Sequence, residues 1–60
     1  MKYSKEELTE AIRALDSTLS KCEKAQEKLR VGTPQHTLTK RRIAALKIAI
    51  DLIGEKLEES

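Results

Sequence analysis

The chain has 60 residues, a net charge of +2, one cysteine, one histidine and one aromatic residue. A chain this short forms one small domain that is marginally stable by itself, and its lone cysteine excludes an internal disulfide. Charged residues make up 37% of the sequence, which fits long amphipathic helices better than a sheet or a disordered tail. We therefore expect an all-α protein that is supported by oligomerisation and has no room for a catalytic cleft.

The first predicted helix spans about residues 5–30 and begins where two start signals agree. Ser4 and Glu7 have the spacing of a capping box, and Tyr3 can pack on Leu8 as a hydrophobic staple. Residues at alternating spacings of four and three then form a heptad seam, namely Leu8, Ile12, Leu15, Leu19, Cys22, Gln26 and Leu29. A row of small residues flanks this seam on one side, namely Ala11, Thr18 and Ala25.

A short turn is predicted at about residues 31–33. Gly32 suits the left-handed conformation that often follows a helix, and Thr33 suits the N-cap of the next one. Pro34 suits the first helical position, where its missing N–H costs nothing. A connection this short makes the two helices antiparallel neighbours.

The second predicted helix spans about residues 34–58 and has its own seam. The members of this seam are His36, Thr39, Ile43, Leu46, Ile50, Ile53 and Leu57. In an antiparallel hairpin, the residue numbers of two facing residues add up to a constant. When the two seams are paired from opposite ends, each of the seven pairs adds up to 65, as for Leu15 with Ile50. Half of this sum falls between Gly32 and Thr33, where the turn signals lie.

The second helix also has apolar residues that the seam does not use. From residue 43 to residue 53, only Lys47 and Asp51 interrupt an apolar run. The surplus residues are predicted to form an oligomer interface, namely Leu38, Ala45, Ile48, Ala49 and Leu52. Two hairpins that dimerise into a four-helix bundle are the simplest closed arrangement. Gly54 either accommodates a close neighbour or loosens the helix end.

Several single residues have both a functional and a structural interpretation. Cys22 fits a buried small residue better than a reactive thiol, and His36 either binds an anion, titrates or ends the core. Gln26 and Thr39 form a polar layer that either sets the register or marks a buried site near the turn. Because no acid–base constellation, nucleophile motif or phosphate loop is present, we expect no enzymatic activity, cofactor, metal or small-molecule substrate.

The charges are distributed unevenly along the predicted hairpin. Residues 21–47 hold eight basic and two acidic residues, a net charge of +6, and the remainder holds four basic and eight acidic residues, a net charge of −4. The residues that could contact an anion or nucleic acid are Lys24, Lys28, Arg30, Lys40, Arg41 and Arg42. The last three oppose the dipole of their own helix. Either two hairpins pack with basic and acidic ends together, or the basic end meets an anionic partner.

The tract VGTPQHTLTKRRIAALKIAIDLI resembles short uncharacterised helical-hairpin proteins of clostridial-type Gram-positive bacteria. That resemblance implies a hairpin and no particular activity. In size and architecture the chain also resembles Rop-like hairpin dimers, which bind paired RNA loops, but no motif carries their contact residues over to this sequence.

The leading hypothesis is a homo-oligomeric interaction or regulatory module. The alternatives are a binder of structured RNA and an adaptor for another protein. Without a signal core or membrane span, we expect a cytoplasmic protein.

Overall fold

The computed structural model describes residues 2–59, which form two helices, α1 (Lys5–Glu27) and α2 (Pro34–Glu59). The helices pack against each other as a hairpin that measures 42 × 15 × 14 Å. The predicted all-α hairpin is therefore confirmed, and no strand occurs in residues 2–59. Neither α1 nor α2 has an apolar stretch long enough to cross a membrane.

The start of α1 has the predicted capping box. The backbone N–H of Glu7 donates to Oγ of Ser4 at 3.1 Å, and the backbone N–H of Ser4 donates to Oε1 of Glu7 at 3.0 Å. These two bonds satisfy N–H groups that have no partner inside the helix. Tyr3 and Leu8, the two residues of the predicted staple, line one groove, where Leu8 is buried and Tyr3 remains half exposed.

The end of α1 corrects the predicted helix boundary. The helix ends at Glu27, three residues before the predicted end at residue 30. The connection therefore spans residues 28–33 instead of the predicted 31–33. The N–H groups of Lys28 and Leu29 donate to carbonyl oxygens three residues back, both at 3.1 Å. Such bonds tighten the last turn and finish an α-helix.

The hydrogen bonds of Thr33 explain why α1 does not continue. Its N–H and its hydroxyl both donate to the carbonyl oxygen of Arg30, at 3.2 Å and 2.8 Å. In a continued helix that carbonyl would need the N–H of residue 34, which is proline and has none. Oγ1 of Thr33 also accepts the N–H of His36 at 3.2 Å and caps α2, as predicted. Gly32 has the expected positive φ of 91° but lies within the connection rather than directly after α1.

The two predicted seams supply the core of the hairpin. Leu8 and Ile43 are buried, each 8% exposed, and the other twelve predicted seam residues are all half-buried. Outside the seams, the half-buried positions in residues 2–59 are Ala11, Thr33, Ala49 and Gly54. The heptad pattern thus identified the inner side of both helices. The core is nevertheless thin, because only two residues in 2–59 are buried and neither is fully covered.

Gly54 lies inside a continuous stretch of α2. A Cβ atom added at Gly54 would meet nothing within 4 Å, and the helix runs on to Glu59. Within the single hairpin no neighbouring group therefore explains this glycine, and a close neighbour from a second copy stays a prediction.

Candidate interaction surfaces

The first surface is the apolar face of α2, which consists of Leu38, Ala45, Ile48, Ala49 and Leu52. The large side chains on it remain open to solvent in the hairpin, with exposures of 47% for Leu38, 60% for Ile48 and 58% for Leu52. Ala45 is exposed and Ala49 is half-buried. The residues predicted as an oligomer interface therefore lie on the surface of the single chain, beside the seam that α1 covers.

A groove near the middle of the hairpin connects this face with α1. Its volume is about 410 Å³, and its lining residues are Thr18, Cys22, Arg42, Ala45, Leu46 and Ala49. Cys22 from α1 and Leu46 from α2 both line this groove, so the groove is formed by side chains of the two helices. Thr18 belongs to the small-residue row of α1, so that row does lie beside the apolar face.

A second groove lies nearer the chain termini. It has a volume of about 400 Å³, and its lining residues are Tyr3, Glu7, Leu8, Ala11 and Ile53. Ala11 and Thr18 are seven residues apart, or about two helical turns, so they share one side of α1. Both grooves consequently open on the same side of the hairpin, and this apolar side extends from the termini toward the turn.

The second surface is the basic turn end, which comprises Lys21, Lys24, Lys28, Arg30, Lys40, Arg41, Arg42 and Lys47. All eight residues are exposed. The ion pairs in residues 2–59 join Arg13 to Glu10 at 3.5 Å and Lys56 to Glu59 at 3.3 Å, so none includes a turn-end cation. The structure thus places the six predicted anion-contact residues at one end of the hairpin, where their charges are not neutralised by ion pairing.

Arg42 has a position that the sequence pattern did not predict. The charge distribution assigned it only to the basic cluster, but it also lines the central groove beside Ala45 and Ala49. The signal was present in the spacing, because Arg42 and Ala49 are seven residues apart and share one side of α2. A cation therefore borders the apolar face between Leu38 and Ala45.

The remaining polar candidates are half-buried residues of the two seams. Cys22 is a free, half-buried thiol in the central groove, and His36 uses its backbone N–H to complete the cap of Thr33. Gln26 and Thr39 are both half-buried, and no hydrogen bond joins their side chains in the described chain. Across residues 2–59, no three His, Cys, Asp or Glu side chains are grouped as a metal site.

Comparison with known proteins adds no family to this description. No protein-family model, curated protein or solved structure matches the chain. Function is therefore inferred from the two surfaces of the hairpin.

Proposed function

We propose that this hairpin is a non-enzymatic interaction module that works as a homo-oligomer, assembled through the apolar face of α2. The observation that supports the proposal is the exposure of Leu38, Ile48 and Leu52, each of which is about half open to solvent. Complete burial of such a side chain is worth about 1.5–3 kcal/mol, so covering the exposed part of all three contributes roughly 2–5 kcal/mol per copy. A cytoplasmic location stays a prediction.

The thin core supports the same proposal. A domain of this length is usually stabilised by disulfides, metal or oligomerisation when its own core is small. In residues 2–59 only Leu8 and Ile43 are buried, each with 8% exposure, and the sequence contains one cysteine. A second copy that covers the apolar face would add the burial that one hairpin lacks.

Two glutamate substitutions test this proposal. Ala49→Glu puts a carboxylate on the half-buried side of the central groove, where an unpaired charge is costly to bury. Ser20→Glu is the control, because Ser20 is exposed and lies about 200° around α1 from Thr18 in the central groove. We expect sedimentation to show that Ala49→Glu yields poorly folded monomers, whereas Ser20→Glu retains the assembly of the original chain.

The oligomeric state of the unsubstituted chain is the observation that could contradict the proposal. A well-folded monomer at micromolar concentration would contradict self-assembly. If that monomer instead bound another protein through the apolar face, the adaptor hypothesis would replace the homo-oligomer.

A second candidate function is binding of structured RNA or duplex DNA by the basic turn end. It is favoured by the eight exposed cations that form no ion pair in the described chain. Binding through such a patch depends on phosphate contacts and counterion release, so it tolerates sequence changes and weakens steeply with salt. The chain has one aromatic residue, which argues against recognition of single-stranded bases by stacking.

Charge removal at matched positions tests the second candidate. Lys40→Gln with Arg41→Gln removes two turn-end cations, and Lys5→Gln with Arg13→Gln removes the same charge elsewhere. The measured quantity is the slope of log affinity against log salt concentration. If the turn end binds duplex DNA, the first pair reduces the size of this slope by about 0.9 for each phosphate that the protein no longer neutralises, and the control pair does not. Absence of binding near 50 mM salt, where the electrostatic attraction is strong, would exclude this function.

A further inference from the structure

The apolar side of the hairpin carries opposite charges at its two ends. Along α1, one stripe at spacings of three and four contains Glu7, Glu10, Ala14, Thr18, Lys21, Ala25 and Lys28. Glu7 lines the terminal groove, whereas Thr18 lines the central groove, so this stripe borders the apolar side. On α2, Arg42 adds a cation at the turn end of the same side. The small residues in the middle of the stripe are therefore preceded by carboxylates and followed by ammonium groups.

The dimensions of the hairpin require a long interface. A stable protein interface usually buries about 800 Å² on each partner. That area is comparable with a whole face of a molecule 42 Å long and 15 Å wide. A second copy that covers the apolar side must therefore extend along most of its length and contact both charged ends.

We infer that the occupant of the apolar side is a second copy of this chain in antiparallel orientation, with each basic turn end beside the partner's acidic termini. This inference rests on the proposed homo-oligomer and specifies its geometry. In this arrangement α1 faces the partner's α1, so Lys21 lies near the partner's Glu10 and Lys28 lies near the partner's Glu7.

Charge pairing and the apolar face place the twofold axis in the same part of the hairpin. Pairing Lys21 with the partner's Glu10 puts the axis next to Asp16 on α1, and pairing Lys28 with the partner's Glu7 puts it next to Thr18, so an axis between these positions brings both pairs close. In the predicted antiparallel register, this level corresponds to residues 47–50 of α2. Four of the five residues of the apolar face, from Ala45 to Leu52, are centred at this level, and Leu38 lies nearer the turn. One antiparallel dimer therefore satisfies the charge pairing and most of the apolar burial.

The parallel alternative brings like charges together. A twofold axis along the hairpin places α1 over the partner's α2 with both turn ends at one end, so Lys21 and Lys28 approach the partner's Arg42. Like charges at an interface lower affinity and select against that orientation. Lys56 and Arg13 are cations at the acidic end, and each forms an exposed ion pair within its own helix, Lys56 with Glu59 at 3.3 Å and Arg13 with Glu10 at 3.5 Å. Such exposed pairs are weak, so Glu10 can exchange Arg13 for the partner's Lys21.

A single spin label at Thr37 distinguishes the two orientations. Thr37 is exposed near the turn end of α2, and the label requires a Cys22→Ala background. In the antiparallel dimer the labels are twelve residues from the axis on each side, which corresponds to a separation of about 36 Å at 1.5 Å per residue. In a parallel dimer the labels are at one level, and the two α2 helices lie diagonally across the bundle with axes about 13 Å apart, because neighbouring helix axes are 8–10 Å apart. The label distance is then clearly shorter than in the antiparallel dimer.

A charge exchange provides a second, independent test. Glu10→Lys alone and Lys21→Glu alone should each weaken the dimer by about tenfold, since each change places like charges together twice across the symmetric interface. Combining both substitutions restores opposite charges and should restore the affinity. The antiparallel dimer is supported by the long distance together with this restoration. A dimer with a short label distance, or without restoration, would refute the antiparallel geometry while leaving the proposed homo-oligomer intact, and a monomer would refute both.

Discussion

Replacement of Ile48 by serine tests whether a partner covers the apolar face of α2 or leaves it exposed to solvent. In the single hairpin Ile48 is 60% exposed and Val31, in the connection, is 83% exposed. If the chain works as a monomer, both Ile48→Ser and Val31→Ser are surface changes and should each alter stability by less than about 0.5 kcal/mol. If a second copy covers the apolar face, only Ile48→Ser removes a buried side chain.

The size of the expected effect follows from the exposure of Ile48. Full burial of an isoleucine side chain is worth about 1.5–3 kcal/mol, and about 60% of that, roughly 1–2 kcal/mol, is available to a partner. The interface contains this residue twice, so the dimer loses roughly 2–4 kcal/mol, which corresponds to a dissociation constant raised about 30- to 700-fold. Isoleucine and serine have similar helix propensities, and α2 itself should therefore persist.

Sedimentation equilibrium across a concentration series measures the dissociation constant, and circular dichroism follows the helix content. We expect Ile48→Ser to dissociate at concentrations where the original chain and Val31→Ser remain dimeric. Equal dissociation constants and equal unfolding midpoints for the two variants would show that Ile48 is not covered, and the assignment of the interface would then be wrong.

Three further predictions concern the hairpin itself. Cysteines introduced at Leu15 and Ile50, in a background without the natural cysteine, should form an intrachain disulfide. Cysteines at Leu15 and Ile43 should not. If only the second pair forms a disulfide, the predicted register is wrong. Gly54→Ala should raise the free energy of unfolding by up to about 1 kcal/mol in denaturant titrations, because alanine favours a helix and the added Cβ meets open space; a loss of stability would contradict this. Ser4→Ala should lower that free energy by about 1 kcal/mol, since the N–H of Glu7 loses its acceptor, and an unchanged urea midpoint would show that the capping box does not contribute.

The inner sides of both helices were predictable because burial follows the heptad spacing. The end of α1 was not, and Leu29 shows why. This residue continues the spacing and is half-buried as predicted, but it lies in the connection, two residues after the helix has ended at Glu27. Periodicity reports which residues are covered rather than which backbone conformation carries them. The deciding bonds, from Thr33 to the carbonyl of Arg30, have no signature in apolar spacing.

The apolar face was predictable from the residues left over after the seam of α2 had been assigned. The grooves beside it were not, because each groove is formed by side chains from both helices. Arg42 illustrates the difference, since its place in the central groove depends on the distance between α1 and α2 and not on its own sequence neighbours alone. A linear charge count assigned it to the turn end and overlooked its position beside the apolar side.

The central claim is that a second copy of the chain covers the apolar face, and the molar mass of the unsubstituted protein tests it most directly. Sedimentation equilibrium from about 1 to 100 μM covers concentrations at or above the dissociation constants of standard-size interfaces, which run from micromolar to picomolar. We predict a helical species with twice the 6.8 kDa mass of the chain, which dissociates on dilution with loss of helix. A fully helical species of 6.8 kDa at every concentration would contradict the claim.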